Sequence, residues 1–299
     1  MPLSQPPPRP YVGRFAPSPT GPLHMGSLIS ALASYLDAKA NHGQWLIRIE
    51  DLDPPREVAG ASEEIVACLA QHGLYSDRPI LKQSSRLDAY EQALERLQQR
   101  QLSFYCQCSR AQLKATGSIY PGYCRHLDLP KPGQYATRLR VDASTIQYHD
   151  GIQGPQRQSL ADEVGDFIIK RKDQLHSYQL AVVVDDHFQG VSHVVRGADL
   201  LSSTERQLFL ARQLDYSSPQ YAHLPVLTND AGQKLSKQTF APSLDPAKNK
   251  DNILFALKFL NQPLPPKEIS KLPQLLFWAT QHWQIKRIAA HTSQHVSLS

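Results

Sequence analysis

The feature that most constrains the fold of this sequence is a proline-rich loop between a short apolar strand and a long amphipathic helix. The loop, FAPSPTGPLHMGS, occupies residues 15–27 and holds three prolines and two glycines in thirteen positions. It follows the strand-like segment YVGRFA and leads into a helical pattern near residues 24–42, after which QWLIRIE predicts a second strand. Strand, helix and strand in this order predict a right-handed βαβ unit, and therefore an α/β fold with a parallel sheet.

The loop lies where open α/β sheets bind their ligands. Such sheets bind ligands at the carboxyl ends of their strands, and a helix N-terminus attracts anions. The three prolines fix the backbone before a ligand arrives, whereas Gly21 and Gly26 let a phosphorylated ligand approach closely. Since the loop is ordered in advance, we expect a nucleotide to bind there. His24 can donate to phosphate at this position, although a histidine at a helix start is more commonly a cap or a surface residue.

A second candidate element lies about 210 residues further along, in a polar loop. The segment KLSK provides two ammonium groups, Lys234 and Lys237. Ammonium groups on a loop can stabilise negative charge as it develops on transferring phosphates. Taken alone, such a loop is typical of solvated surface.

Three charged residues at the ends of predicted strands fit the recognition of an acidic amino acid. Arg14 and Arg196 can each form a bidentate pair with a carboxylate, and Glu50 can hold an ammonium group. The alternative for each is a structural ion pair.

The two loops, with a parallel sheet predicted between them, resemble the paired nucleotide motifs of class I aminoacyl-tRNA synthetases. Over about residues 11–245 the chain is similar to the glutamyl branch of that class, through RFAPSPTGPLHMGS, IRIEDLDPPR and VVVDDHFQGVSHVVRGADLLSSTERQ. The sequence departs from the commonest pattern at Ser27 and Leu235, and both changes preserve the backbone donors and Lys237.

This resemblance implies a Rossmann-like parallel-sheet catalytic domain with defined sites. The ATP site it implies consists of His24, Gly26, Ser27, Lys234 and Lys237, of which His24 and Lys237 are catalytic, with Mg²⁺ accompanying ATP. The L-glutamate site it implies consists of Arg14, Phe15, Ala16, Pro17, Ser18, Glu50, Tyr178 and Arg196. A hydrogen-bonded core tyrosine is the alternative for Tyr178.

The expected chemistry is the activation of glutamate followed by transfer to an RNA. The α-carboxylate attacks the α-phosphorus of ATP and expels pyrophosphate, and an acceptor hydroxyl then attacks the mixed anhydride. The short length and small insertion resemble a truncated bacterial relative that glutamylates queuosine in the anticodon of tRNA(Asp). The alternatives are a compact enzyme that charges a tRNA 3′ end and a non-catalytic RNA-binding paralogue. About 60 residues after the lysine loop are too few for a helical anticodon-binding domain, which argues against the first.

Three of the four cysteines fall within nineteen residues and predict a metal site. Cys106, Cys108 and Cys124 indicate metal ligation rather than disulfides in a reducing compartment. Tetrahedral zinc needs a fourth ligand, for which His126 is the first candidate on chemistry, whereas the family resemblance implies Tyr120. Four protein ligands predict one structural zinc per chain, which substitutes for a core in an insertion poor in apolar residues. Three unrelated thiols are the alternative.

The pattern along the chain predicts five regions. These are a flexible leader (1–10), the first half of the catalytic domain (11–103), a zinc-bearing insertion (104–160), the second half with the lysine loop (161–245) and a helical C-terminal segment (246–299). From Lys234 onwards, Lys and Arg exceed Asp and Glu by six, which favours an anionic partner such as tRNA. We expect a cytoplasmic protein, since the sequence has neither a signal-like start nor an apolar run of membrane-spanning length. We also expect a monomer.

Overall fold

The computed structural model describes residues 10–114, 117, 119–127, 129, 133–228 and 243–295. Its first elements are β1 (Val12–Phe15), α1 (Met25–Ala40), β2 (Gln44–Ile49), α2 (Ala61–Gln71), β3 (Leu81–Lys82), α3 (Leu87–Gln99), β4 (Ser103–Cys106) and α4 (Arg110–Lys114). Then follow β5 (Ala136–Leu139), β6 (Thr145–Asp150), β7 (Gly154–Ser159), α5 (Leu160–Glu163), β8 (Ile168–Lys170), α6 (Tyr178–Gln189), β9 (His193–Gly197), α7 (Thr204–Gln213), β10 (Gln220–Leu224) and β11 (Val226–Thr228). The last are α8 (Asn249–Phe259), α9 (Leu272–Gln281) and β12 (Ser293–His295). None of the helices in these ranges is long and apolar enough to cross a membrane.

Parallel strands form the centre of the fold. β1, β2 and β3 pair in that order, all parallel, and β9 pairs in parallel with β10. The N–H of Ser192, just before β9, donates to the carbonyl of Val12 in β1 at 2.9 Å, so the two parallel groups lie side by side. The predicted parallel α/β fold is confirmed, and the carboxyl ends of β1, β2 and β9 meet at one edge.

Helix α1 covers this sheet with an apolar face. Leu28, Leu32 and Leu36 recur at helical spacing and are completely buried, and each contributes about 1.5–3 kcal/mol by leaving water. On its other side α1 contacts α8 and α9. The indole N–H of Trp283, just after α9, donates to Asp37 of α1 at 2.8 Å, which ties the C-terminal helices to the sheet layer.

Two strands differ from the sequence-based expectation. The apolar pattern of DFIIKR, after the predicted insertion, predicts a further strand of the parallel sheet, but β8 pairs antiparallel with β5, which pairs antiparallel with β4. An apolar run predicts a strand without its direction, because burial is the same in either orientation. The sequence pattern also predicts one strand over YAHLPVL, but this segment forms two, since Pro225 has no N–H for ladder hydrogen bonding. β11 then pairs in parallel with β12 at residues 293–295.

Candidate active site

A cleft of about 580 Å³ opens at the carboxyl ends of β1, β2 and β9. Its wall contains every residue predicted to hold glutamate and three of the five predicted to hold ATP. These eleven are Arg14, Phe15, Ala16, Pro17, Ser18, His24, Gly26, Ser27, Glu50, Tyr178 and Arg196. The other two, Lys234 and Lys237, lie outside the described residues. The sheet edge thus brings together side chains that are up to 182 positions apart in sequence.

The proline-rich loop is tied to the rest of the sheet edge by backbone hydrogen bonds. The N–H of Glu50 donates to the Pro17 carbonyl at 3.0 Å, and that of Val58 donates to the Pro19 carbonyl at 2.9 Å. Gly21 has a φ of 128°, a conformation that residues with a Cβ rarely adopt. The loop therefore has a defined shape set by its own sequence and by its neighbours.

His24 is both the N-cap of α1 and part of the cleft wall. Its Nδ1 accepts the N–H of Ser27 at 3.3 Å, and its Nε2 lies 3.2 Å from the Ser27 hydroxyl. Such capping satisfies one of the N–H groups that a helix start leaves without an intrahelical partner. The cap interpretation of this histidine is confirmed, and the same side chain lies in the cleft wall.

Behind the cleft lies a buried cluster of four charged side chains. Asp186 of α6 accepts two hydrogen bonds from Arg14, both at 3.2 Å, and one from Arg48 at 2.7 Å. Arg48 also contacts Glu50 at 3.4 Å. Two positive and two negative groups balance each other, as burial in a medium of low dielectric requires. Nη1 of Arg14 has no hydrogen-bond partner among the described residues.

The cluster separates the pKa values of its two carboxyl groups. Burial alone would raise the pKa of Asp186, but Arg14 and Arg48 outweigh it and hold that pKa below its usual value of 3.8. For Glu50 the effect of burial, which raises the pKa, is larger than the opposite effect of the same two arginines, so its pKa lies above 4.5. Glu50 is therefore the carboxylate of this pair that gains most from an additional positive partner.

Arg196 is held by an unusually complete set of hydrogen bonds. Its Nε donates to His223 Nε2 at 3.1 Å, its Nη1 to Tyr178 at 3.3 Å and Gln207 at 2.9 Å, and its Nη2 to the Leu200 carbonyl at 3.3 Å and Thr204 at 2.9 Å. The side chain is only 4% exposed, yet it contributes to the cleft wall. A guanidinium fixed in this way presents a pre-oriented cation to the cleft.

The three clustered cysteines meet around the phenol oxygen of Tyr120. The sulfurs of Cys106, Cys108 and Cys124 all lie within 4.8 Å of one another. The Tyr120 hydroxyl is 3.5 Å from the Cys106 sulfur and 3.9 Å from that of Cys108, and it accepts the N–H of Cys124 at 2.8 Å. Tetrahedral zinc with Zn–S bonds of about 2.3 Å separates its sulfurs by about 3.8 Å, so the donor set fits zinc. His126 is exposed and is not part of this group of sulfurs.

Close packing holds Tyr120 in this position. The guanidinium of Arg138 in β5 lies 3.8 Å from the centre of the Tyr120 ring. Gly165 has a φ of 69°, and a Cβ there would lie 2.8 Å from the Tyr120 carbonyl oxygen. Glycine is therefore required where the two backbones meet.

The basic residues near the insertion have different surroundings. Arg110 and Lys114 lie on the short helix α4 and are exposed. Arg125 instead forms an ion pair with the buried Asp166 at 2.7 Å and donates to the Val141 carbonyl at 2.9 Å. The sequence predicts all three basic residues as contacts for tRNA phosphates. Of the three, Arg125 has a clear structural role.

Sequence reasoning missed Arg48 and Asp186. Both sit in apolar segments, QWLIRIE and VVVDDHFQ, whose other residues are mostly buried. A charged residue inside an apolar run must have a buried partner of opposite charge. A charged residue within an apolar segment could therefore have identified both positions from the sequence, although it does not specify which residue is the partner.

The comparisons with known proteins identify the family of this chain. The family described as "tRNA synthetases class I (E and Q), catalytic domain" matches residues 11–258. Because this match covers most of the chain, the chain belongs to that family of ligases.

Within the family, the two relatives described next carry the same name. A glutamyl-Q tRNA(Asp) synthetase of Serratia proteamaculans is 50% identical over 281 residues, which is 94% of this chain and 92% of that protein. One from Neisseria meningitidis serogroup A is 48% identical over 290 residues, covering 94% of this chain and 98% of the other. The chain is thus a member of the glutamyl-Q tRNA(Asp) synthetase group of this family.

Solved structures give the same fold. The glutamate-tRNA synthetase of Elizabethkingia anophelis superposes with a TM-score of 0.81 at 25% sequence identity, covering 97% of this chain and 68% of the other. A glutamate tRNA ligase from Elizabethkingia meningosepticum, solved in complex with its amino acid, gives the same TM-score and identity and is covered to 67%. This chain therefore corresponds to about two thirds of those proteins.

Proposed function

We propose that this protein uses ATP to activate L-glutamate as glutamyl-adenylate and transfers the glutamate to queuosine in the anticodon of tRNA(Asp). The observation that carries this proposal is the meeting of Arg14, Glu50 and Arg196 in one cleft, beside the N-terminus of α1. Two cations and one anion complement the charges of glutamate, and the helix terminus complements a phosphate. The identity of about 50% with glutamyl-Q tRNA(Asp) synthetases supports the choice of acceptor.

Glutamate binding follows from the charges of the cleft. Glu50 accepts the α-ammonium group, and this positive partner favours the charged form of Glu50 that burial disfavours. Nη1 of Arg14 is available for one carboxylate, and Arg196 takes the other by exchanging its long contacts to Tyr178 and Leu200 for shorter charged ones. Phe15, Ala16, Pro17 and Ser18 line the same cleft as the two arginines.

ATP binding follows from the helix terminus and the lysine loop. The phosphates lie against Gly26, Ser27 and His24, and Lys234 and Lys237 approach from the opposite side. A carboxylate oxygen of glutamate forms a bond to the α-phosphorus while the bond to the bridging oxygen breaks, and pyrophosphate leaves. Mg²⁺ that accompanies ATP neutralises phosphate charge. A hydroxyl of the acceptor then attacks the anhydride carbonyl, and AMP leaves with the bonding electrons.

The cysteine cluster has a structural role in this proposal. Cys106, Cys108, Cys124 and Tyr120 hold one zinc ion, and four protein ligands leave no position for a reacting water. The site joins β4 to the loop that precedes β5 and so stands in for a hydrophobic core in this region.

The acceptor approaches from outside the cleft. Arg110, Lys114 and the lysines after residue 234 contact tRNA phosphates, which makes the affinity for tRNA sensitive to salt. The protein acts on tRNA in the cytoplasm, as a monomer.

The experiment that tests the proposal maps where glutamate is attached. The protein is incubated with labelled glutamate, ATP and total tRNA from cells with and without queuosine, and the labelled nucleotide is identified after nuclease digestion. We expect label on queuosine of tRNA(Asp) only. Label on the 3′-terminal adenosine contradicts the acceptor and favours tRNA charging, whereas absence of label with active ATP–pyrophosphate exchange limits the activity to activation.

A further inference from the structure

A buried aspartate from outside the parallel sheet lies directly behind Arg196. Asp150 ends β6 in the β6–β7 hairpin, and His223 lies in β10; neither side chain is exposed. Asp150 Oδ2 is 2.5 Å from His223 Nδ1. Asp150 Oδ1 accepts three backbone N–H groups, from Ile152 at 3.0 Å, Gln153 at 2.8 Å and His223 at 3.0 Å. The carboxylate is thus fixed in orientation.

The hydrogen bonds determine where His223 carries its proton. The Nε–H of Arg196 can only donate a hydrogen bond, and it donates to His223 Nε2, with 3.1 Å between the two nitrogens. The Thr204 hydroxyl lies 3.2 Å from the same nitrogen. Nε2 must therefore be an acceptor, which places the proton on Nδ1, where Asp150 accepts it.

We propose that Asp150 and His223 are positioning residues for the glutamate site, which fix the guanidinium of Arg196 by holding His223 as the neutral Nδ1–H tautomer. This inference rests on the proposed function, in which Arg196 holds a carboxylate of glutamate. In the other tautomer, or in the protonated form, an N–H of His223 faces the N–H of Arg196. Two donors cannot share that contact, so the guanidinium has to turn away from its position in the cleft.

The electrostatic surroundings of His223 keep it neutral. Burial lowers the pKa of His223, the adjacent Arg196 lowers it further, and the hydrogen bond to Asp150 opposes both without reversing the shift. The remaining groups that face it are Asp199, which acts weakly in the same sense as Asp150, and the ring of Tyr221, whose centre is 6.0 Å away. A neutral imidazole transmits the orientation of Asp150 to Arg196 without adding a charge to the cleft.

The variant Asp150→Asn tests the tautomer directly. The three backbone N–H groups require an oxygen at the Oδ1 position, so the asparagine NH₂ has to occupy the Oδ2 position. That NH₂ donates to His223 Nδ1 and drives the proton to Nε2, opposite Arg196. We expect KM for glutamate in ATP–pyrophosphate exchange to rise about tenfold to hundredfold, the range for one lost charge-assisted hydrogen bond. KM for ATP should change less than about twofold, because Arg196 is not part of the proposed ATP site.

Two further variants separate positioning from folding. Asp142→Asn, just before the same hairpin, removes an aspartate whose side chain is 57% exposed and serves as the control, with unchanged KM for glutamate. His223→Gln retains an acceptor for Arg196 and has no tautomers. When His223→Gln is already present, adding Asp150→Asn should change KM for glutamate little further. If the two substitutions acted only by disturbing the structure independently, their effects on KM for glutamate should add.

Imidazole ¹⁵N chemical shifts report the tautomer without any assay of activity. The signal of His223 is assigned by its loss in His223→Gln, and it should change from the Nδ1–H to the Nε2–H pattern in Asp150→Asn. An Nδ1–H pattern that persists in Asp150→Asn, or a KM for glutamate equal to that of the wild type, overturns the inference. If the wild-type protein shows no glutamate-dependent exchange, the proposed function fails, and the ¹⁵N spectra alone then decide the tautomer.

Discussion

Replacing Asp186 by asparagine tests whether the buried charge cluster is held together by charge balance. Asp186 is 6% exposed in its side chain and receives three hydrogen bonds from Arg14 and Arg48, which are 4% and 0% exposed. The substitution keeps the shape but removes the carboxylate that both buried guanidinium groups contact, and leaves Glu50, 3.4 Å from Arg48, as the remaining ion-pair partner in the cluster. Loss of one partner from a buried ion pair destabilises a protein by about 3–5 kcal/mol.

That loss corresponds to a large change in melting temperature. With an unfolding entropy of about 2.1 cal/mol/K per residue, a chain of 299 residues loses about 5–8 °C. The lowered pKa of Asp186 means that its charge contributes fully above its usual pKa of 3.8 and that this contribution is lost as the pH falls through the lowered pKa. Thermal unfolding followed by circular dichroism at pH 7 therefore measures the full effect.

The chain contains a matched control for this variant. Asp215 also pairs with two arginines, Arg96 at 2.8 Å and Arg100 at 3.0 Å, but its side chain is 61% exposed. Solvent-exposed pairs contribute about 0–1 kcal/mol, so Asp215→Asn should lower the melting temperature by less than about 2 °C. If Asp186→Asn lowers it no more than Asp215→Asn does, the argument from buried charge is wrong.

Three other predictions concern the cleft and the cysteine cluster. Because burial raises the pKa of Glu50 above 4.5, lowering the pH should protonate Glu50 and increase KM for glutamate before pH 4.5 is reached, while KM for ATP stays constant. A glutamate KM that is independent of pH down to 4.5 contradicts this. Lys237→Ala should slow ATP–pyrophosphate exchange by about 10²–10³-fold and leave the dissociation constant for glutamate nearly unchanged, since the lysine acts on developing phosphate charge; unchanged exchange refutes the role. The purified protein should contain about one zinc per chain and Cys124→Ser much less, by metal analysis; under about half an equivalent in the wild type argues against the site.

Local chemistry explains what could be predicted from the sequence. Three prolines and Gly21 define a loop through their own backbone preferences, and the spacing of Leu28, Leu32 and Leu36 defines the face of α1. Because parallel strands align their carboxyl ends, residues that follow β1, β2 and β9 had to meet at one edge. The candidate site was therefore predictable wherever its residues end a strand or begin a helix.

The direction and partners of the remaining segments depend on contacts distant in sequence. The pairing of β8 with β5 was not predictable, because apolar runs carry no direction. Arg14 meets Asp186 across 172 positions, and nothing local to either residue specifies the other. The choice between Tyr120 and His126 likewise depends on how the loop after α4 folds back over Gly165.

Buried charges in apolar segments are the general clue to those distant contacts. Arg48 in QWLIRIE and Asp186 in VVVDDHFQ each indicate a buried partner of opposite charge, because an isolated charge is not tolerated in the interior. Asp150 is a buried charge that connects two predicted regions. It lies within the segment expected to form the zinc-bearing insertion but is hydrogen-bonded to His223 of the catalytic sheet. The β6–β7 hairpin is therefore coupled to the candidate glutamate site through Asp150, and changes in the hairpin that move this carboxylate should act on the cleft through His223 and Arg196.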